Sequence, residues 1–228
     1  MSEPKSLTPR SWTALAQFIL ALGLIIFLCA WDLRWWQGWA FLAVFGLATV
    51  WTTAALLKRD PALVERRMQA GPAAEGRPLQ KLIQSLNMLL FLALLALPAL
   101  DHRFGWSHAP TWVAIAGDIM VAAGFWGVYQ VFRANSFASA TVEVNAGQTV
   151  ISTGPYGIVR HPMYAAAIPL VFGGPLAMQS YWGTLPAFAL MAGIVWRLFD
   201  EERLLAAELP GYDDYRRKVR FRLLPGVF

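Results

Sequence analysis

Residues 154–164 read Gly-Pro-Tyr-Gly-Ile-Val-Arg-His-Pro-Met-Tyr, and an apolar, alanine-rich segment follows them directly. Proline suits the first position of an α-helix, where the backbone N–H that it lacks would have no partner. We therefore expect a helix to begin at Pro162. Arg160 and His161 would lie at the positive end of that helix, where an anionic group is stabilised. The alternative is that both side chains only anchor a helix end to lipid headgroups.

The composition around this stretch is that of a membrane protein. Of the 228 residues, 57% are hydrophobic, 14% are charged and 11 are Trp. A soluble domain carries about 25% charged residues, and Trp collects at membrane interfaces. The net charge of +5 fits basic loops beside anionic lipid better than nucleic-acid binding. The single cysteine, Cys29, lies in an apolar run, and we interpret it as a packed hydrophobic side chain.

Apolar runs predict an all-α integral membrane fold with about six transmembrane helices. A bilayer-spanning helix needs about 20 apolar residues, and the first run is long enough to be a retained span rather than a cleaved signal peptide. Residues 163–178 and 184–205 predict a C-terminal helical hairpin after the four longer runs. The longer runs lie at residues 12–30, 39–57, 82–100 and 112–132.

These runs divide the chain into two regions. Residues 1–132 form a predicted four-helix transmembrane region. Residues 133–228 form a C-terminal region with a cytoplasmic loop, the hairpin at 162–205 and a basic tail. Before the third span, Asp60 and Pro61 predict the cap and first turn of a short amphipathic helix. In the cytoplasmic loop, β-branched residues within Thr141–Thr153 predict a hairpin of two short strands.

The distribution of basic residues predicts the orientation. With six crossings, every Lys and Arg except Arg34 and Arg103 falls on the side that holds both termini. Cytoplasmic loops carry the excess of Lys and Arg in membrane proteins. We therefore expect a multi-pass protein of a bacterial or archaeal inner membrane, with both termini and the predicted cofactor-binding segment in the cytoplasm.

Three charged groups of the C-terminal region lie at the predicted cytoplasmic face. They are residues 160–164, the acidic triplet 200–202, and the aromatic and basic tail from Tyr212. Because both ends of a helical hairpin lie at one membrane face, the first two groups can meet. A cationic corner opposite carboxylates suits a zwitterionic ligand such as S-adenosylmethionine. The alternative is a solvated helix face on which the triplet pairs with Arg197 and Arg203 at helical spacing.

Other cofactor and metal sites have no support in the sequence. No G-x-G-x-x-G follows a predicted strand, and there is no P-loop. The three histidines, His102, His108 and His161, are too scattered for a zinc site, and no cysteine lies beside them. We therefore expect neither a metal nor a nucleic-acid partner.

The motifs of the C-terminal region, in this order, resemble the isoprenylcysteine carboxyl methyltransferase family of membrane enzymes and the related phospholipid methyltransferases. The resemblance covers the chain from Arg133 onward. It rests on Arg133-x-Asn135-Ser136-Phe137, Gly154-Pro155-Tyr156, Arg160-His161-Pro162 with Tyr164, Glu201-Glu202, and Tyr212-x-x-Tyr215 with the basic tail.

The resemblance implies methyl transfer from S-adenosylmethionine, within the membrane, to a lipophilic or small acceptor. An isoprenylcysteine carboxylate-like or lipid acceptor is the favoured class. For such an in-line displacement the protein supplies mainly alignment and desolvation. The resemblance implies catalytic roles for Arg160 and Glu202 and acceptor binding by Asn135 and Arg133. It implies cofactor binding by Tyr156, His161, Tyr164, Glu201, Glu202, Tyr212 and Tyr215.

Two other functions and several acceptors stay open. An NADPH-dependent enzyme like the sterol reductases is disfavoured, because Ala165–Ala167 stand where those enzymes place an acidic residue. Many methyltransferase relatives have Gly after the tyrosine that corresponds to Tyr164, so the alanines here also change the predicted acceptor tunnel. The non-enzymatic alternative is a small membrane scaffold. The acceptor candidates are a prenylcysteine carboxylate, a phospholipid amine and a small thiol.

Overall fold

Helices account for the regular structure of the chain. The computed structural model describes residues 4–68, 71–138, 142 and 147–228, and within these residues it contains eight α-helices and no β-strand. The helices are α1 (Pro4–Ala30), α2 (Trp36–Arg59), α3 (Pro61–Met68), α4 (Pro78–Phe104), α5 (Thr111–Ala134), α6 (Pro162–Ala177), α7 (Thr184–Glu208) and α8 (Tyr212–Lys218).

Four helices are long and apolar enough to cross a membrane. Among the described residues these are α1, α2, α4 and α5, whose candidate membrane-spanning segments are 23 to 27 residues long. They correspond to the four longer runs of the sequence, so the all-α fold is confirmed for the described residues, and the length and composition of these four helices are consistent with an integral membrane protein. The six-helix count stays a prediction, because α6 has only 16 residues and α7 carries a charged C-terminal half.

The predicted hairpin is formed by α6 and α7, and it extends along the bundle. α6 begins at Pro162 as predicted and runs antiparallel to α5. At its far end the Gln179 side chain donates to the Ala109 carbonyl just before α5 at 2.8 Å and contacts Gln37 at the start of α2. Its near end lies beside the end of α5, where Asn135 binds Tyr156.

Small residues bring α5 and α6 into close contact. A Cβ built on Gly117 would lie 2.1 Å from the Ala177 backbone nitrogen, and one on Gly124 would lie 2.5 Å from Leu170 Cγ. Side chains at these two glycines would force the helices apart. These two positions are therefore packing sites between α5 and α6.

Each end of the helical bundle has its own set of polar residues. At one end, the Asp101 carboxylate accepts from Ser107 and Ser180, and Asp32 pairs with His102. The opposite end holds the N-terminus of α6 and the charged half of α7. The candidate site lies at that second end.

The connecting segments differ in part from expectation. The Asp60 carboxylate caps α3 by accepting from the Leu63 N–H at 3.0 Å, as predicted. Of the predicted hairpin within Thr141–Thr153, residues 147–153 form no strand, and residues 141 and 143–146 lie outside the described residues. The tail contains a helix, α8, that the sequence analysis did not predict.

Candidate functional site

The candidate site begins at the N-terminus of α6, where His161 is the residue before the first helical turn. The tail pairs with this turn. The Arg160 N–H donates to the Phe221 carbonyl and the His161 N–H to the Arg222 carbonyl, both at 2.9 Å. Arg160 and His161 are buried, at 8% and 5% exposed. A lipid-facing anchor would leave them accessible, so they belong to the interior of the site.

Glu202 on α7 is the centre of a cluster of cations. Its carboxylate accepts from Arg160 Nε at 2.7 Å, from Arg222 Nε at 2.9 Å, and lies 3.3 Å from His161 Nε2. Burial opposes ionisation, but hydrogen bonds from His161, Arg160 and Arg222 outweigh it and hold the pKa of the Glu202 carboxyl well below its usual range. Glu202 is therefore a carboxylate at neutral pH.

Arg160 is enclosed by the tail as well as by Glu202. Its Nη1 donates to the Val219 and Arg220 carbonyls at 2.9 and 2.7 Å. A guanidinium offers five donors in a fixed plane, and here three contacts come from one carboxylate and two carbonyls. This arrangement fixes the tail against the start of α6.

Tyr164 and Glu201 face each other one helical turn deeper. The Tyr164 hydroxyl donates to Glu201 Oε2 at 2.6 Å and lies 3.2 Å from Arg197 Nε. The His161 ring stacks on the Tyr164 ring, with centroids 5.7 Å apart and planes at 16°. The two charged ends of the hairpin thus meet across the site.

Aromatic residues of the loop and tail form the opposite wall. Asn135 Nδ2 donates to the Tyr156 hydroxyl at 2.9 Å, and the Tyr215 hydroxyl donates to the Tyr156 carbonyl at 2.7 Å. Burial raises the pKa of Tyr156 to about 12 and raises the pKa values of Tyr212 and Tyr215 above their usual range. All three are neutral hydrogen-bonding groups. The Tyr212 hydroxyl is buried and has no hydrogen-bond partner among the described residues.

These side chains line a cavity of about 550 Å³, within the range of small-molecule sites. We call the polar part of this cavity the mouth. We call the part that continues between α4, α5, α6 and α7, where most lining side chains are apolar, the inner arm. The mouth is lined by Tyr156, His161, Tyr164, Glu201, Tyr212 and Tyr215, and the inner arm by Gln84, Asn87, Phe125, Leu170 and Ile194.

Two predicted site residues lie outside the cavity lining. Arg133 is exposed and its guanidinium lies 3.3 Å from Gln130 Oε1 and over the Tyr129 ring. Glu202 lies behind Arg160 and His161, which themselves line the cavity. The remaining predicted residues, including Asn135, line it.

A second buried network, which the sequence analysis missed, supports the site from the N-terminal half. Arg197 Nη1 donates to Glu75 Oε1 at 2.6 Å and to Gln80 Oε1 at 2.8 Å. Gln80 in turn donates to Asp200, which pairs with Arg77 at 2.7 Å. Asp200 and Arg197 are thus not on a solvated face. In the sequence, only the charges of Asp200 and Arg197 indicated that these residues need partners. Nothing in the sequence around Glu75 marks it as one of those partners.

Metal-binding clusters have no support in the geometry. Across residues 4–68, 71–138, 142 and 147–228, no three His, Cys, Asp or Glu side chains come together in a way that could hold a metal ion.

Comparisons with known proteins agree with the resemblance read from the sequence. Residues 112–209, from α5 to the end of α7, match the family model described as "Phospholipid methyltransferase". This match confirms the resemblance to integral membrane methyltransferases and supports a methyltransferase activity.

Two curated relatives are similar over a comparable length. The nickel-cobalt-cadmium resistance protein NccN of Alcaligenes xylosoxydans xylosoxydans is 29% identical over 114 residues, which are 48% of this chain and 50% of that protein. The cobalt-zinc-cadmium resistance protein CzcN of Cupriavidus metallidurans is 28% identical over 112 residues, again 48% and 50%. The chain spans about half the length of the curated relatives it matches.

Proposed function

We propose that this protein is an S-adenosylmethionine-dependent membrane methyltransferase that acts on a lipophilic or small acceptor. A prenylcysteine carboxylate-like or lipid acceptor is the favoured class. The observation that carries the proposal is a cavity that joins a polar mouth to a mainly apolar inner arm. A charged nucleoside ligand and a membrane-derived acceptor need these two environments side by side, and the match at residues 112–209 supports the same chemistry.

The mouth fits the cofactor by its charges. The carboxylate of the cofactor would meet His161 and Arg160 beside the N-terminus of α6, where positive potential favours an anion. Its ammonium group or ribose hydroxyls would meet Glu201, whose Oε2 already accepts from Tyr164. The buried Tyr212 hydroxyl, which has no partner among the described residues, offers one further polar contact.

When bound, the cofactor supplies a sulfonium methyl group: the acceptor's lone pair forms the new bond to carbon, and the electrons of the broken S–C bond stay on sulfur as S-adenosylhomocysteine. The residues of the chain align this exchange and exclude water from it. A carboxylate or thiolate acceptor needs no general base, whereas an ammonium acceptor must first lose a proton. We assign Glu202 to alignment, because it binds Arg160 and lies outside the cavity lining. We also assign Arg160 to alignment, because it binds the tail carbonyls and Glu202 while it lines the cavity beside His161.

Calorimetric titration with S-adenosylhomocysteine tests the cofactor assignment. A hydrogen bond to a charged group is worth about 1.5–3 kcal/mol, so His161→Ala, which removes a group that lines the cavity, should weaken binding roughly tenfold to a hundredfold. Glu202→Gln should weaken binding indirectly, because it removes the charge that holds Arg160 and His161 in place. The double variant should lose less than the sum of the two single losses, because Glu202 acts on the ligand through His161 and Arg160. Tyr164→Phe, which removes only the hydroxyl bound to Glu201, covers the case in which Glu202→Gln does not fold.

Three outcomes separate the functions. Binding of S-adenosylhomocysteine supports the methyltransferase, binding of NADPH instead supports a reductase, and binding of neither supports a scaffold. Wild-type affinity in both His161→Ala and Tyr164→Phe would refute the site assignment.

The acceptor and the orientation need separate experiments. Methyl-labelled S-adenosylmethionine added to membranes, followed by identification of the labelled product, would distinguish a carboxylate, an amine and a thiol. We further propose cytoplasmic termini and six crossings in an inner membrane. A reporter fused to the C-terminus should then be active in the cytosol, and a signal on the opposite side would overturn this topology.

A further inference from the structure

Asn87 is a buried polar group within the apolar helix α4. It lies on α4, is 9% exposed and lines the inner arm. Its Oδ1 is buried and has no hydrogen-bond partner among the described residues. The Asn87 amide thus makes no hydrogen bond to any described residue, and its end that faces the cavity can bond a ligand there.

The orientation of the amide leaves its nitrogen for the cavity. A Cβ built on Gly193 of α7 would lie 2.1 Å from Asn87 Oδ1 but 3.6 Å from Nδ2. The oxygen therefore lies against α7 at Gly193, and the NH₂ group is the end directed to the inner arm. Only glycine at position 193 leaves room for this orientation.

Asn87 ends a polar stripe that leads down from the mouth. Gln80, Gln84 and Asn87 are spaced three or four residues apart, so they share one face of α4. Gln80 binds Arg197 and Asp200. At 1.5 Å rise per residue, Asn87 lies about 10 Å deeper than Gln80. Below the mouth, the inner arm is otherwise lined mainly by apolar side chains such as Phe125 and Leu170.

We propose that the inner arm binds the methyl acceptor and that Asn87 Nδ2 donates a hydrogen bond to an oxygen at the acceptor's polar end. This inference rests on the proposed function and names the residue that determines acceptor choice. Among the described residues that line the cavity, the carboxylate is Glu201 at the mouth, whereas Arg67, Arg160 and Arg197 are cations. Because Asn87 Nδ2 is a hydrogen-bond donor, the ligand that suits this arm is an amphiphile with an oxygen that accepts hydrogen bonds, rather than a cationic amine.

Thermal unfolding in detergent with two matched amphiphiles tests the proposal. Oleate and oleylamine have the same tail but opposite head groups. At a hundredfold excess over its dissociation constant, oleate should raise the unfolding temperature of the wild type by roughly 5–10 °C. Asn87→Leu should lose more than half of that shift, and so should Gly193→Ala, which displaces the amide. Ser85→Ala is the control, since Ser85 bonds the Lys81 carbonyl of its own helix.

The stability of Asn87→Leu without ligand separates a ligand-binding role from a packing role. Removing an unsatisfied amide should leave the unfolding temperature unchanged or raise it. A lower unfolding temperature with an unchanged oleate shift would mean that Asn87 only packs α4 on α7. An oleylamine shift as large as the oleate shift, or no oleate shift in the wild type, would also overturn the proposal.

Titration with S-adenosylhomocysteine keeps this inference distinct from the proposed function. Asn87→Leu should bind it within twofold of the wild type, because Asn87 lies below the mouth. If S-adenosylhomocysteine bound to neither the wild type nor any variant, the methyltransferase proposal would be refuted. The amphiphile site would not be, because the oleate-dependent shift in unfolding temperature tests it independently.

Discussion

The Glu75–Arg197 pair gives the most direct test of how the site is supported. Glu75 is 2% exposed, and its carboxylate lies 2.6 Å from Arg197 Nη1. Glu75→Gln keeps the shape but removes the charge. Breaking a buried ion pair from one side costs about 3–5 kcal/mol, because the remaining charge is left uncompensated. For a chain of this size each kcal/mol lowers the unfolding temperature by roughly 2–4 °C.

Glu75→Gln should therefore unfold at least roughly 6 °C below the wild type in the same detergent. Glu208→Gln is the matched control, because Glu208 is exposed near the end of α7. Affinity for S-adenosylhomocysteine should fall severalfold as well, since Arg197 also contacts the Tyr164 hydroxyl.

A double-mutant cycle with Arg197→Met isolates the pair. The double variant should be more stable than the sum of the two single losses, because neither charge is then left alone. Equal unfolding temperatures for Glu75→Gln and Glu208→Gln, or strictly additive losses in the cycle, would refute the reasoning.

Three further expectations follow from packing and charge. Cys29→Ala should leave cofactor binding unchanged in calorimetry, because Cys29 packs against the apolar core and does not line the cavity. Gly117→Ala should destabilise the protein by about 1–3 kcal/mol or more in thermal unfolding, whereas Gly46→Ala, whose Cβ would meet its nearest neighbour at 3.7 Å, should not. Because the pKa of Glu202 is lowered in the folded protein, its ionised form stabilises the fold at pH values above about 4.5, the ordinary pKa of this group. That stability is lost as the pH falls further. Acid unfolding of Glu202→Gln should accordingly depend less on pH below this value.

The sequence was sufficient for features that depend on neighbouring residues. Pro162 starts α6 because the missing N–H and fixed φ act locally. The apolar runs give the four long helices because length and apolar composition together decide whether a helix can span a bilayer. The meeting of His161 with Glu202 was also predictable, since a hairpin returns its two ends to one face.

Other contacts could not be predicted because nothing local specifies them. Glu75 and Arg197 are 122 positions apart, and no spacing rule connects a loop glutamate with a helix arginine. No spacing rule connects Arg222 of the tail with Glu202 of α7 either. Arg133 was assigned to acceptor binding by resemblance, yet its long side chain extends over Tyr129 outside the cavity.

The acidic triplet on α7 shows how these distant contacts shape the site. Successive residues of a helix point about 100° apart, so Asp200, Glu201 and Glu202 face three different neighbours. Asp200 pairs with Arg77 before α4, and Glu202 pairs with Arg222 of the tail. Both partners lie outside residues 112–209, the part that matches the methyltransferase family. With these two carboxylates neutralised, Glu201 is the one that the described cavity lining presents to a ligand. The loop before α4 and the tail therefore determine which carboxylate of α7 meets the ligand, although neither contributes it.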